Sequence, residues 1–300
     1  MKHTLEITLL LVFLFFISQV VGLAVTNAYI DHAATAETGN VTFVSLPFNI
    51  ERPPVEQKSS FLFIITAILI GTVLVLLLIK FKKVLLWKIW FFMAVVLCLS
   101  IAFSAFMNHY LALLLSIILT VYKIFKPNII IHNLTEVFVY GGLAAIFVPI
   151  MNLLAVTILL ILISIYDFIA VFKIKHMITL AKFQTKSKVF AGLFVPYRRE
   201  KAKEKTTEKS PGKKLVKTAI LGGGDIGFPL LFAGVVMKGL MLENAVLIGF
   251  LETLIIPIFV SIALFLLFVK GKQDKFYPAM PFLTIGCFIG YFIIWLINFI

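Results

Sequence analysis

The sequence predicts an all-α polytopic membrane protein with nine transmembrane helices, its N-terminus in the cytoplasm and its C-terminus outside. Three observations predict it: an extreme apolar composition, a series of apolar runs of bilayer length, and a one-sided distribution of basic residues. Of 300 residues, 61% are hydrophobic and only 14% charged, Phe alone accounts for 31, and the mean hydropathy is +1.09. Soluble chains carry about half apolar and about a quarter charged residues. A compact water-soluble core of this size cannot hide the excess, because most of a folded surface still meets solvent, so soluble enzyme folds are excluded.

A helix needs roughly 20 apolar residues to cross the hydrocarbon core. Five runs fit directly: Leu5 to Thr26, Phe61 to Ile79, Thr218 to Met237, Ala245 to Val269, and Pro278 to Ile300. Val84 to Val121, interrupted by Asn108 and His109, and Ile129 to Phe172, interrupted by Pro149 and Asn152, are too long for one crossing. At about 1.5 Å per residue each would exceed about 50 Å, so each reads as two spans joined by a tight turn. The first run resembles a signal peptide, with Thr26 and Ala28 as a small-residue cleavage site, but its apolar stretch is long and a retained helix is expected. Residues 27 to 60 form an external loop containing the sequon Asn40-Val41-Thr42. No internal repeat is evident, which disfavours transporters built from duplicated halves.

Nine spans put 24 of the 27 basic residues on the N-terminal side of the membrane and leave Arg52, Lys58 and Lys238 on the other. That asymmetry places the N-terminus inside. Fourteen of the basic residues lie between Lys173 and Lys217, with Glu200, Glu204 and Glu208 as the acids there, a local net charge of +11. Flanked by apolar spans, this reads as a cytoplasmic loop against anionic lipid headgroups, and no nucleic-acid partner is expected. The chain thus divides into 1–172 (spans one to six), 173–217 (a basic loop expected to be partly disordered) and 218–300 (spans seven to nine). Cys98 and Cys287 both sit in apolar runs and are expected to be packing residues.

Acids inside spans are costly and mark function by default. Glu136, near the start of its span, reads as a carboxylate favoured by the helix dipole, and Glu252 as an interhelical hydrogen-bond partner. Asp167 and Asp225 differ. Asp167 lies six residues before Lys173, about 9 Å below the cytoplasmic boundary, and Asp225 lies eight after Lys217, about 12 Å below the same face. One helix runs into the cytoplasm and the next leaves it, so side-by-side packing would bring the two carboxylates together. Gly222, Gly223 and Gly224 precede Asp225 and permit irregular backbone and close approach, and Pro229 loosens the helix one turn later. Tyr277-Pro278-Ala279-Met280-Pro281 opens the last span with two prolines and should begin non-helically, with free backbone groups able to hold an extended peptide.

Tyr166-Asp167, Gly222-Gly223-Gly224-Asp225 and Pro278-Ala279-Met280 resemble, in order and placement, the Tyr-Asp, Gly-x-Gly-Asp and Pro-Ala-Leu motifs of the presenilin and signal peptide peptidase family of intramembrane aspartyl proteases. Met280 stands where the family usually has leucine, a change that conserves volume. The extension to Ile226-Gly227-Phe228-Pro229 is similar to signal peptide peptidases and archaeal members, whereas the cytoplasmic N-terminus is that of presenilin. The resemblance implies a microbial, archaeal presenilin-like protease of a prokaryotic cell membrane that cleaves transmembrane peptides or membrane proteins. It implies Asp167 and Asp225 as catalytic residues, with Tyr166, Gly222, Gly223, Gly224, Pro278, Ala279 and Met280 positioning substrate. It also implies no metal and no cofactor, and it leaves accessory subunits or a homo-oligomer open. Two adjacent carboxyls share a proton, one activating water and the other protonating the peptide carbonyl. The competing readings are a prepilin or preflagellin peptidase, which has no need of Pro278-Ala279-Met280, and a proton or cation pathway using the buried acids.

Within the basic loop, Val189 to Tyr197 is an apolar island too short to span. It reads first as an interfacial anchor with Phe190, Phe194 and Tyr197 among headgroups, and second as an internal gate near the two aspartates.

Overall fold

The computed structural model describes residues 4–126, 128–174, 189–198, 216–271 and 277–299. Helix α1 (Leu5–Ala28) is followed by a short α2 (His32–Thr38) and a loop that leads into α3 (Ser60–Lys80). Then come α4 (Val84–Ser104), α5 (His109–Phe125), α6 (Ile129–Phe147) and α7 (Leu153–Ile169), the last extended by a π-helical turn over Ala170–Ile174. Two strands follow, β1 (Gly192–Arg198) and β2 (Val216–Gly222), and then α8 (Gly223–Glu243), α9 (Val246–Thr253), α10 (Ile255–Lys270) and α11 (Met280–Phe299). Among the described residues, eight segments are long and apolar enough to cross a membrane, α9 and α10 together forming one of them, and α5 is a shorter apolar helix of 17 residues.

Asparagines punctuate the two over-long apolar runs. Asn108 caps α5 by accepting from Tyr110 N–H at 2.9 Å, and Asn152 caps α7 by accepting from Ala155 N–H at 2.8 Å. Asn128 does the same for α6 through Ile130 at 2.8 Å. An Asn side chain satisfies an N–H that the helix cannot, so each run breaks where such a residue sits.

Helix α8 is the most enclosed of the spans and packs against α1, α6, α7, α9 and α11. Its neighbours α1, α6 and α7 bury Leu11, Phe15, Leu23, Ala144, Leu159 and Leu160 against its Leu230, Phe232, Ala233 and Met237. Close approach between helices rests on small residues, as in membrane bundles generally. A Cβ on Gly142 of α6 would fall 1.9 Å from the Cys98 carbonyl oxygen of α4, and one on Gly290 of α11 would fall 2.8 Å from Ile256 Cα of α10. Cys98 and Cys287 are buried free thiols, as packing residues should be.

Two sequence expectations need correction. Span seven does not begin at Thr218: residues 216–222 form β2, paired antiparallel with β1 from Gly192↔Gly222 to Arg198↔Val216, and the helix starts at Gly223. The β-branched Val216, Thr218 and Ile220 alternate along this segment and suit an extended backbone, and the glycines let strand turn directly into helix. Most of the apolar island is likewise a strand, from Gly192 onward, rather than an irregular segment. Val189, Leu193 and Val195 are buried in protein, and β1 packs on α1, α6 and α8. The expected disorder of the basic loop concerns residues 175–188 and 199–215, which lie outside the described residues.

Candidate active site

Asp167 sits in the last turn of α7 and is buried. Its Oδ2 accepts the backbone N–H of Met280 at 3.1 Å, with the Ala279 amide beside it. Met280 is the first residue of α11, and Tyr277, Pro278 and Ala279 before it are non-helical. The amides at the start of a helix have no intrahelical acceptor, so a carboxylate from the neighbouring helix satisfies them. Two of the three motifs, distant in sequence, thus meet through one hydrogen bond.

Asp225 lies in the first turn of α8 and is partly exposed, on a helix that packs directly against α7. Gly222 is the last residue of β2 and the N-cap of α8, and a Cβ there would come within 3.3 Å of Asp225 Oδ2. At Gly223 a Cβ would lie 2.6 Å from the Tyr140 hydroxyl, so this position has no room for a side chain. Gly224 is exposed. Pro229 is buried within α8 and lacks the N–H that would have met the Asp225 carbonyl one turn earlier. Tyr166 turns toward α3, where its hydroxyl lies 3.4 Å from Thr72 Oγ1.

Glu136 does not play the role expected of it. It lies in the second turn of α6, buried and ion-paired with Lys123 of α5. It also accepts from the Tyr140 hydroxyl and, at 2.9 Å, from Gly192 N–H. A carboxylate this deep is held by a cation and two further donors, which offset its desolvation. Glu252 keeps its expected part: the side-chain amides of Asn244 and Asn298 donate to its Oε2 at 3.3 and 3.2 Å.

Sequence reading also passed over Gln19, His132, Asn133 and Tyr140. Gln19 in α1 is fully buried, and its Nε2 donates to the Ile226 carbonyl at 2.9 Å, one residue beyond Asp225. The available signal was a lone amide in the middle of a 24-residue apolar helix, since such a group must find a partner inside the bundle.

A family model described as signal-peptide peptidase, presenilin aspartyl protease matches residues 12–300. Among solved structures, a presenilin family intramembrane aspartate protease in space group C222 is similar with a TM-score of 0.60 and 18% identity, over 95% of this chain and 97% of the other. A second structure of such a protease, in space group P2, gives a TM-score of 0.58 and 17% identity over 98% of each chain. No curated protein matches the chain. At these identities the solved structures speak for the fold. With nearly the whole sequence matched by the family model, the chain belongs to the signal-peptide peptidase and presenilin family of intramembrane aspartyl proteases.

Proposed function

We propose that Asp167 and Asp225 are the catalytic pair of this protease, and that Tyr166, Gly222, Gly223, Gly224, Pro278, Ala279 and Met280 position the peptide to be cut. The observation that carries the reading is the bond from Met280 N–H to Asp167 Oδ2, on a helix packed against the one that Gly222-Gly223-Gly224-Asp225 opens. The ionised carboxyl takes a proton from water as its oxygen attacks the peptide carbonyl carbon, and the protonated carboxyl donates to the carbonyl oxygen. Collapse of the gem-diol breaks the C–N bond, and the proton taken from water goes to the leaving amine. The two carboxyls titrate as a unit, so neither is assigned a fixed starting role.

A transmembrane helix must unwind before it is cut, because its carbonyls are hydrogen-bonded within the helix. The open edge of β2, ending three residues before Asp225, offers backbone groups to an extended substrate. The protein works in a prokaryotic cell membrane, nine spans put the dyad near the cytoplasmic face, and substrates have their own N-termini outside. Cysteine labelling that finds Lys83 outside the cell would reverse that polarity.

The decisive experiment is cleavage of a model transmembrane peptide by the detergent-purified chain. Asp167→Ala and Asp225→Ala should each abolish cleavage while the protein still folds and inserts, since removing one carboxyl of a proton-sharing pair also removes its desolvation cost. Near-normal cleavage by either variant would refute the pairing.

A further inference from the structure

Antiparallel strands turn alternate residues toward the partner and the rest away from it. On β1 the residues turned away from β2 are Gly192, Phe194 and Pro196, and the first two are met by side chains of α6. Gly192 N–H donates to Glu136, and its carbonyl accepts from His132 Nε2 at 2.8 Å. Phe194 N–H donates to Asn133 Oδ1 at 3.1 Å, and its carbonyl accepts from Asn133 Nδ2 at 2.9 Å. The carboxamide of Asn133 therefore meets both backbone groups of one residue, as a neighbouring strand would. Pro196 has no N–H to satisfy.

The foot of this arrangement is fixed to the active site. Glu136 is braced by Lys123 and Tyr140, and the Tyr140 ring fills the space beside Gly223. Gly223 N–H in turn donates to the Ala191 carbonyl at 3.1 Å. Gly192 has φ +139°, and a Cβ there would fall 2.2 Å from the Leu221 carbonyl oxygen, so only glycine makes this crossing.

We infer that His132, Asn133 and Glu136 on α6 are positioning residues for proteolysis, acting as a surrogate third strand that closes the outer edge of β1 and fixes the hairpin in register with Asp225. By the same alternation Thr218, Ile220 and Gly222 turn their backbone groups to the far edge of β2, which carries no third strand among the described residues. The clamp decides which edge takes substrate and how far along it the scissile bond falls. This inference rests on the dyad reading above, because it supposes that cleavage occurs beside Asp225.

The test combines hydrogen exchange over residues 189–198 with kinetics and mass-spectrometric mapping of cut sites, using Asn133→Ala and His132→Phe. Both variants should lose exchange protection in β1, raise KM about tenfold through loss of one or two hydrogen bonds, and spread cleavage over neighbouring peptide bonds. His132→Phe keeps the ring volume and drops a single bond, so it serves if Asn133→Ala does not fold. Lost protection with an unchanged KM and cut pattern would overturn the inference, because the side chains would then be merely structural. Retained protection in both variants would overturn it as well. Asp225→Asn, run in parallel, keeps the two readings apart: cleavage surviving there breaks the dyad assignment, whereas cleavage lost there with wild-type behaviour in the α6 variants breaks only the clamp.

Discussion

Lys238 lies thirteen residues beyond Asp225 on α8, about 20 Å along the helix, and is buried rather than in a loop. Its ammonium donates to the Val148 carbonyl at 3.0 Å and to the Met151 carbonyl, at the turn between α6 and α7, where the Val148 carbonyl also accepts the Met151 N–H at 3.3 Å. The lysine thereby does for a helix end what a cap does. Lys238→Met should remove the ammonium from both carbonyls, leaving Val148 only its Met151 N–H, and cost about 1–3 kcal/mol, read as a lower unfolding temperature in detergent. Cleavage per folded molecule should stay unchanged, since the residue is remote from both aspartates. In the sequence Lys238 reads as a flanking charge, because hydropathy sees a cation near a span's end and cannot see the turn carbonyls that it meets. Asp167 and Asp225 were legible for the opposite reason: an acid in an apolar run beside glycines or a tyrosine is conspicuous without any partner in view.

The long apolar helices were legible as elements because each carries its own signal, an apolar stretch bounded by charge, asparagine or proline, whereas the short polar α2 lies in what reads as a loop. The hairpin was not. Residues 192–198 and 216–222 are short apolar segments whose partners are each other and the face of α6 that presents His132, Asn133 and Glu136. In 192–198 no local pattern distinguishes a strand from an anchor, and in 216–222 the alternation of Val216, Thr218 and Ile220 is masked by the apolar run that continues into α8. That face of α6 depends on how closely α6 lies against α4, and Gly142 sets the distance. An added Cβ would meet the Cys98 carbonyl oxygen at 1.9 Å and its carbon at 2.7 Å, backbone atoms that cannot swing aside. Gly142→Ala should force the helices apart at a cost of about 1–3 kcal/mol or more, measured as a fall in unfolding temperature. Gly71→Ala is the matched control: a Cβ there meets nothing within 4 Å, so no fall in unfolding temperature is expected.

At the scale of the whole molecule, packing is uneven around the site. Helix α8 is enclosed on most sides, whereas α3 buries little beyond Ser60, Ile64 and Val75. A hydrogen bond between the Thr72 and Tyr166 hydroxyls ties α3 to the Asp167 helix. A groove of about 370 Å³ separates it from α4, lined by Gly71, Thr72 and Val75 on one side and Trp87, Trp90 and Phe91 on the other. Regions with few buried contacts open at the lowest free energy, so a membrane-embedded substrate approaching Asp167 displaces α3 more cheaply than any better-packed span. Filling the groove should raise that cost, because van der Waals packing is what holds helices together in lipid. Gly71→Leu is therefore expected to slow cleavage of a full transmembrane peptide several-fold while leaving a short, already extended peptide almost unaffected. Hydrogen exchange along α3 should slow in the same variant. Equal slowing of both peptides would place the effect in the chemistry rather than in access, and unchanged rates with slowed exchange would show that α3 does not move aside for substrate.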